Sequence, residues 1–316
     1  MRRLRAFAVL VVFLTGAASA AGPTIVGVAG KSPDSAVLVG QAGEVFLRDH
    51  GVWRRAGGGV AAALMRAWGA SATEVFAVGA RAPAYQHDGK SWFAVPGTSG
   101  ANGPALLSEP GSPLPAVAVG KRIYLLKDKK LAPGPTAPGL PTALWAVSER
   151  DVYVIVDGKL QHFAGGWRPV PGADEALVEI GPKLALGVDG GVYTLDTRLR
   201  KVPQDPALTG FHPRLAALGK RMILVGAIGD GYAVATINGK TVMLLGRLPG
   251  LARADEPVGL VAGDGILVVS RSGLVLTGDG DTWRTEAIAA AVAESPHAAE
   301  PPAQIPAATP APDASK

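Results

Sequence analysis

The most regular feature of the chain is a run of four apolar residues, usually closed by glycine, that returns along nearly its whole length. Val37-Leu38-Val39-Gly40, Phe76-Ala77-Val78-Gly79, Val117-Ala118-Val119-Gly120, Tyr153-Val154-Ile155-Val156, Leu184-Ala185-Leu186-Gly187, Ile223-Leu224-Val225-Gly226 and Ile266-Leu267-Val268-Val269 are its seven copies. Their spacing of about 38 residues is a repeat-architecture period. Short β-branched and aromatic runs bounded by turn residues read as strands, and continuous rather than alternating apolarity predicts burial on both faces.

Residues 63–97 show the unit in full. An apolar run ends at Trp68, and a polar break from Gly69 to Glu74 leads into Val75-Phe76-Ala77-Val78. A third strand ends at His87, Asp88-Gly89 turns the chain, and Trp92-Phe93-Ala94-Val95 forms a fourth. The third-to-fourth-strand turn recurs at His50-Gly51-Val52-Trp53, from Phe163 to Trp167, at Ile237-Asn238-Gly239-Lys240, and at Asp279-Gly280-Asp281-Thr282-Trp283. Asn-Gly and Asp-Gly suit two-residue hairpins because both central positions need positive φ. Four-stranded antiparallel units of this length predict an all-β fold, a seven-bladed β-propeller over residues 21–288. Units 105–133 and 176–203 are degenerate, which leaves the count open by one blade; a β-sandwich would not supply seven in-phase copies. Trp53, Trp92, Trp167 and Trp283 share one phase of the repeat and Trp68 and Trp145 another, so the tryptophans are expected to pack between blades.

The stretch Trp68 to Gly79, with His87-Asp88-Gly89 and Trp92, resembles the tandem repeats of secreted bacterial β-propeller proteins, similar to the WD40/YVTN-like superfamily and to sialidase-type propellers. The likeness spans 25–288 and is sharp in units two, four and seven. Leu276 to Trp283 also resembles an Asp-box: Gly280, Thr282 and Trp283 match, while the serine position holds Leu276, the aspartate position holds Gly278, and Asp279 is displaced by one. In such families the box stabilises a turn, so the resemblance implies fold rather than catalysis. The last unit is compatible with photosystem-assembly-factor propellers as well, which would imply a role in assembly.

The N-terminus predicts export from the cytoplasm. Arg2, Arg3 and Arg5 precede the apolar run Ala6 to Leu14, and Ala18-Ser19-Ala20 follows, the three-part pattern of a secretory signal peptide over residues 1–20. The run is shorter than the roughly 20 residues of a membrane span, so no transmembrane segment is expected after cleavage. The alternative is a buried N-terminal helix. Losing three arginines takes the formal net charge from +5 to +2, and without a Lys/Arg cluster nucleic-acid binding is not expected. There are no cysteines, hence no disulfide, thiolate metal site or cysteine nucleophile. From Ala289 the sequence turns to alanine, proline and scattered charges, and residues 289–316 read as a disordered tail.

Candidate chemistry is sparse. His50, His87 and His162 share one phase of the repeat, so radial repetition separates them and a turn role is expected. Asp-Gly pairs at Asp189, Asp230, Asp264 and Asp279 lack the alternating carboxylates of a calcium loop. Gly226-Ala227-Ile228-Gly229-Asp230-Gly231 opens no helix and fails as a nucleotide loop. No Gly-x-Ser-x-Gly elbow exists, and the arginine, tyrosine and acid set that a sialidase resemblance would require cannot be placed. No catalytic residue, metal site or cofactor is therefore assigned.

Four long connections, read as Pro96–Pro104, Ala132–Pro141, Pro203–Pro213 and Leu248–Pro257, join fourth to first strands and emerge on one face, where binding loops are commonly carried. Phe211, His212, Arg253, Asp255 and Glu256 are the candidate contact groups there, the alternative being that these loops are spacers. The expectation is an exported (periplasmic or extracellular), monomeric, non-enzymatic scaffold binding a protein or cell-envelope component. The rival is a glycan hydrolase or lyase with channel acids, for which Glu179 is the one first-strand acid apparent. If the leader is read correctly, N-terminal sequencing of protein from its native host should begin near Ala21; an intact Met1 would contradict it.

Overall fold

A computed structural model describes residues 22–288, apart from residues 31, 50, 57–58, 61–62, 72–73, 80–82, 97, 99–104, 110–111, 129 and 182. The leader, the tail and His50 lie outside the described residues. Seven sheets each contain four antiparallel strands in sequence order, and every one of the seven apolar runs is the second strand of its sheet. The innermost strands of successive sheets touch around the whole circle, the last (Pro257–Ala262) meeting the first (Ile25–Ala29). The chain is a seven-bladed β-propeller.

Its core lies between the blades. Seven buried apolar clusters each draw on two neighbouring blades, one cluster for every junction. A second strand such as Val37–Gly40 or Leu184–Gly187 is buried along its full length, because its two faces serve two different junctions. That is the physical reason the runs do not alternate.

The tryptophans tie these junctions. Trp92 is buried and its indole N–H donates to the Gly43 carbonyl of the preceding blade at 2.8 Å. Trp167 donates likewise to Thr136 at 2.7 Å, and Trp53 to the Glu286 carboxylate of blade 7 at 3.1 Å. Trp68 and Trp145 fill the junctions of blades 2–3 and 4–5. Trp283 packs in the blade 6–7 cluster, although its N–H bonds to Gly280 of its own turn.

The ring closes without strand exchange. Each terminal blade is complete in itself, so closure relies on side chains. Ile25, Leu38, Phe46 and Trp53 of blade 1 interdigitate with Leu267, Val269, Val275 and Ile288 of blade 7. Over them lies a polar clasp: Arg48, 7% exposed, reaches Glu286 at 3.1 Å and Thr277 Oγ1 at 3.0 Å, and its guanidinium sits 5.5 Å from the centre of the Trp53 ring. One backbone bond, from Ile25 N–H to the Arg271 carbonyl at 2.8 Å, crosses the same seam.

Two connections differ from the sequence reading. Residues 132–136 are strand, not loop: Lys130–Thr136 forms the outer edge of blade 3 despite Pro133, Gly134 and Pro135, because an edge strand can leave one side of its ladder unpaired. His212 and Pro213 likewise open the first strand of blade 6, His212–Leu218.

Truncating Trp92 to alanine should cost about 3–5 kcal/mol in urea unfolding, as for other buried large aromatics. Glu286→Ala strands Arg48 in the seam and should cost at least about 2 kcal/mol; a midpoint equal to wild type would mean the clasp contributes nothing to closure.

Candidate functional site

Sequential antiparallel strands bring the fourth-to-first and the second-to-third connections to the same face. The two sets interlock there. The Glu175 carboxylate, from the connection into blade 5, accepts the Asp189 N–H at 2.6 Å and fills space kept open by Gly187 and Gly191, where any Cβ would collide with it. Asp255, from the connection into blade 7, accepts the Ser272 N–H at 3.0 Å.

This interlocking reassigns most of the sequence-predicted contact groups. Phe211 is 2% exposed and belongs to the blade 5–6 core, so it anchors its loop rather than facing a partner. Asp255 is occupied by Ser272, and Glu256 pairs with Arg271 at 3.4 Å. Arg253 is exposed, with its guanidinium 6.0 Å from the Tyr232 ring, while the Tyr232 hydroxyl donates to its carbonyl. His212 is exposed at the start of its strand.

The innermost strands carry a feature that the apolar pattern does not show. Six of the seven bulge at the same register, just inside this face, where the residues skipped in the pairing are Val26, Met65, Thr142, Val178, Arg214 and Val258. In blade 3 the corresponding position falls outside the described residues. A bulge re-aims side chains next to the ladder it interrupts. Met65 is 60% and Val178 46% exposed, and Thr142 and Arg214 are also exposed. The following residue is Gly27, Arg66, Ala143, Glu179, Leu215 or Gly259.

Two of these, Arg66 and Glu179, bring charge to the channel side of the ring. Glu109, two residues beyond the short first strand of blade 3 (Ala105–Leu107), joins them. It accepts both Arg66 guanidinium nitrogens, at 2.8 and 3.3 Å. The Glu109 side chain is 3% exposed, whereas Arg66 keeps 36% of its side-chain surface open to water. Glu109 corrects the expectation that Glu179 stands alone; it lies just beyond the end of its strand.

The electrostatics follow from placing four charged groups in one constriction. The Glu109 carboxylate raises Arg66 further above its usual range, with Glu179 adding to the effect. Burial pushes Glu109 up despite its arginine partner. Glu179 is held well above the ordinary carboxylate range, first by burial and then by the negative charge of Glu109; Arg66, Arg214 and the Ala216 N–H pull it back only in part. Clustered, strongly perturbed carboxylates in a cleft mark functional sites more often than chance placement would.

Several other titratable groups brace the scaffold. His87 packs at a tilt against Trp92, ring centres 5.0 Å apart, and accepts the Gly89 N–H. His162 sits 2.8 Å from Asp151 and stacks on Tyr153, whose hydroxyl burial pushes up to about 12. Asp279 Oδ1 accepts the N–H groups of Asp281 and Thr282, so it braces the turn as an Asp-box aspartate would, one place displaced. Asp88 does the same in blade 2. Among the described residues no three His, Asp or Glu side chains gather as a metal site.

No protein-family model matches the chain, and no curated protein does. Solved structures do match it. A structure of YCF48 bound to D1 peptide aligns with a TM-score of 0.59 at 16% identity over 82% of this chain and 94% of that one. Virginiamycin B lyase from Staphylococcus aureus, as a catalytically inactive form with quinupristin, aligns at 0.60 and 11% over 81% and 95%. PorZ, described as a bacterial surface component of the type-IX secretion system of Porphyromonas gingivalis, aligns at 0.54 and 11% over 85% of this chain and 38% of that one. At these identities the likeness is one of fold. Among the described residues no helix is long and apolar enough to cross a membrane.

The raised carboxylate sets a pH dependence. A group whose folded pKa exceeds its unfolded one binds more protons when folded, so stability falls as pH rises from the unfolded carboxylate value to the folded one. Glu179→Gln should therefore raise the thermal midpoint at pH 8 and leave it nearly unchanged at pH 4.5. An equal shift at both pH values would mean that Glu179 ionises normally.

Proposed function

We propose that the protein is a non-enzymatic binding module that holds an extended peptide or protein segment across the long-loop face, at the mouth of its channel. One observation carries this reading. Of the nine large apolar side chains left exposed among the described residues, four stand on this face: Met65, Leu140, Val178 and Val188, at 60%, 56%, 46% and 53% exposure. Val52, Val147 and Leu218 lie toward the opposite face, and isolated exposed apolar residues need no explanation; Met65 and Val178 differ in standing at inner-strand bulges around the channel mouth. His212 and Arg253 supply polar groups on the same face, with Asp255 and Glu256 as loop braces. Binding of a peptide by YCF48 and surface residence of PorZ lend support from two propellers of the same fold. In this reading the protein works outside the cytoplasm as a monomer, on a protein or cell-envelope partner.

The rival is a channel enzyme acting on a glycan, or a lyase. What favours it is the Glu109 and Glu179 pair, since a carboxyl held above its ordinary range by burial can act as a general acid. Of the described histidines, His87 and His162 belong to third strands, away from the channel, and His212 opens the first strand of blade 6.

A displayed random-peptide library separates the two. The wild-type protein should enrich peptides, and Met65→Asp with Val178→Asp should lose that enrichment by about tenfold or more while folding normally, exposed changes costing within about 0.5 kcal/mol each. Phe93→Asp, on an outer strand, should retain it. Unchanged enrichment in the double variant would displace the binding face, and glycan turnover abolished by Glu179→Gln would establish the rival.

A further inference from the structure

We propose that the bound segment crosses the channel mouth and places an aspartate or glutamate side chain on Arg214. This assignment of ligand chemistry rests on the peptide-binding reading of the face.

The rim supplies the first argument. Met65 belongs to blade 2, Leu140 precedes the first strand of blade 4, and Val178 belongs to blade 5. Blades 2 and 5 stand nearly opposite in a ring of seven, so a segment touching both spans the opening. In an extended chain successive side chains point to opposite sides. Residues between the rim contacts then aim one side chain inward, toward the groups that line the mouth.

Among the described residues, one arginine there is left without an ion pair. Arg66 and Glu109 satisfy each other through two nitrogens. Arg214 is exposed at the bulge and makes no ion pair among the described residues. The charges facing Glu179 are Glu109, Arg66 and Arg214. Blade 4 offers Ala143 at the equivalent position, and blades 1 and 7 offer Gly27 and Gly259. Burial and Glu109 keep Glu179 protonated above the usual carboxylate range. In that state the four groups sum to one positive charge, centred on Arg214, whose planar fork suits a carboxylate. When Glu179 ionises, it competes for the same arginines. Affinity for an acidic segment should therefore rise as pH falls through the raised Glu179 value, down to the point where the ligand's own carboxyl takes a proton.

Fluorescence polarisation with labelled acetyl-Leu-Leu-Glu-Leu-Leu-amide tests this at pH 7.5 and 5.5. Its companions are the same peptide with glutamine at the centre, and the glutamine peptide with a free C-terminal carboxylate. The glutamate peptide should bind wild type about tenfold tighter than its glutamine amide, a charge-assisted increment. Arg214→Met should bring the two within about twofold of each other, while Arg271→Met keeps the preference. Glu179→Gln should weaken the fall in glutamate-peptide affinity that wild type shows as pH rises. Equal binding of the glutamate and glutamine amides to wild type, both lost in the Met65→Asp, Val178→Asp variant, would overturn the carboxylate assignment and leave the binding face standing. Preference for the free C-terminal carboxylate would overturn the side-chain assignment in favour of a chain end. No binding of any of the three would overturn the face itself.

Discussion

The fold depends on closing a ring of seven independent blades without sharing a strand between the first and the last. Where a strand crosses a seam, backbone hydrogen bonds fix the closure; here each terminal blade completes its own sheet. Closure must come from apolar interdigitation and from backbones that approach closely. Gly259 and Gly27 make the approach possible. A Cβ on Gly259 would enter the Val28 side chain across the blade 7–1 seam, and one on Gly27 would strike the Ala67 backbone of blade 2. The Arg48, Trp53, Thr277 and Glu286 clasp then secures the outer part of the same seam.

That arrangement makes the ring unequal, and the inequality shapes the channel. Glycine at one register lets blades 7, 1 and 2 press together at their inner strands. At the same register blades 2 and 5 carry Arg66 and Glu179, and the shared bulge lifts Met65, Val178 and Arg214 toward the mouth. One local device, a bulge repeated around the ring, thus separates a tightly packed sector from a polar one. The interlocked connections, with Glu175 held by blade 5 and Asp255 by blade 7, keep the face rigid around it. A rigid face reduces the ordering cost of binding.

The blade pattern was legible because burial on both faces of every second strand leaves a run that no surface strand shows. The tryptophan phases were legible for the same reason: one junction environment recurs seven times. The site was less so. Glu109 is followed by Pro110-Gly111, which reads as loop, and only the bending of the chain toward blade 4, where its N–H bonds to Leu144, brings it to the channel. Bulges leave no residue signature here, since the skipped positions hold valine, methionine, threonine and arginine alike. Phe211 misled because its neighbours are loop formers; its burial comes from blade 5–6 packing that sequence distance conceals. The prolines of 132–136 misled in the opposite sense, since an outer edge tolerates them.

Hydrogen exchange on a Gly259→Ala variant tests the closure most directly. The account predicts that the added methyl opens the seam, so that amides of blades 1 and 7 lose protection while those of blades 3 to 5 keep theirs. Uniform loss throughout the ring, or protection in blades 1 and 7 equal to wild type, would contradict a closure that depends on close approach at this seam.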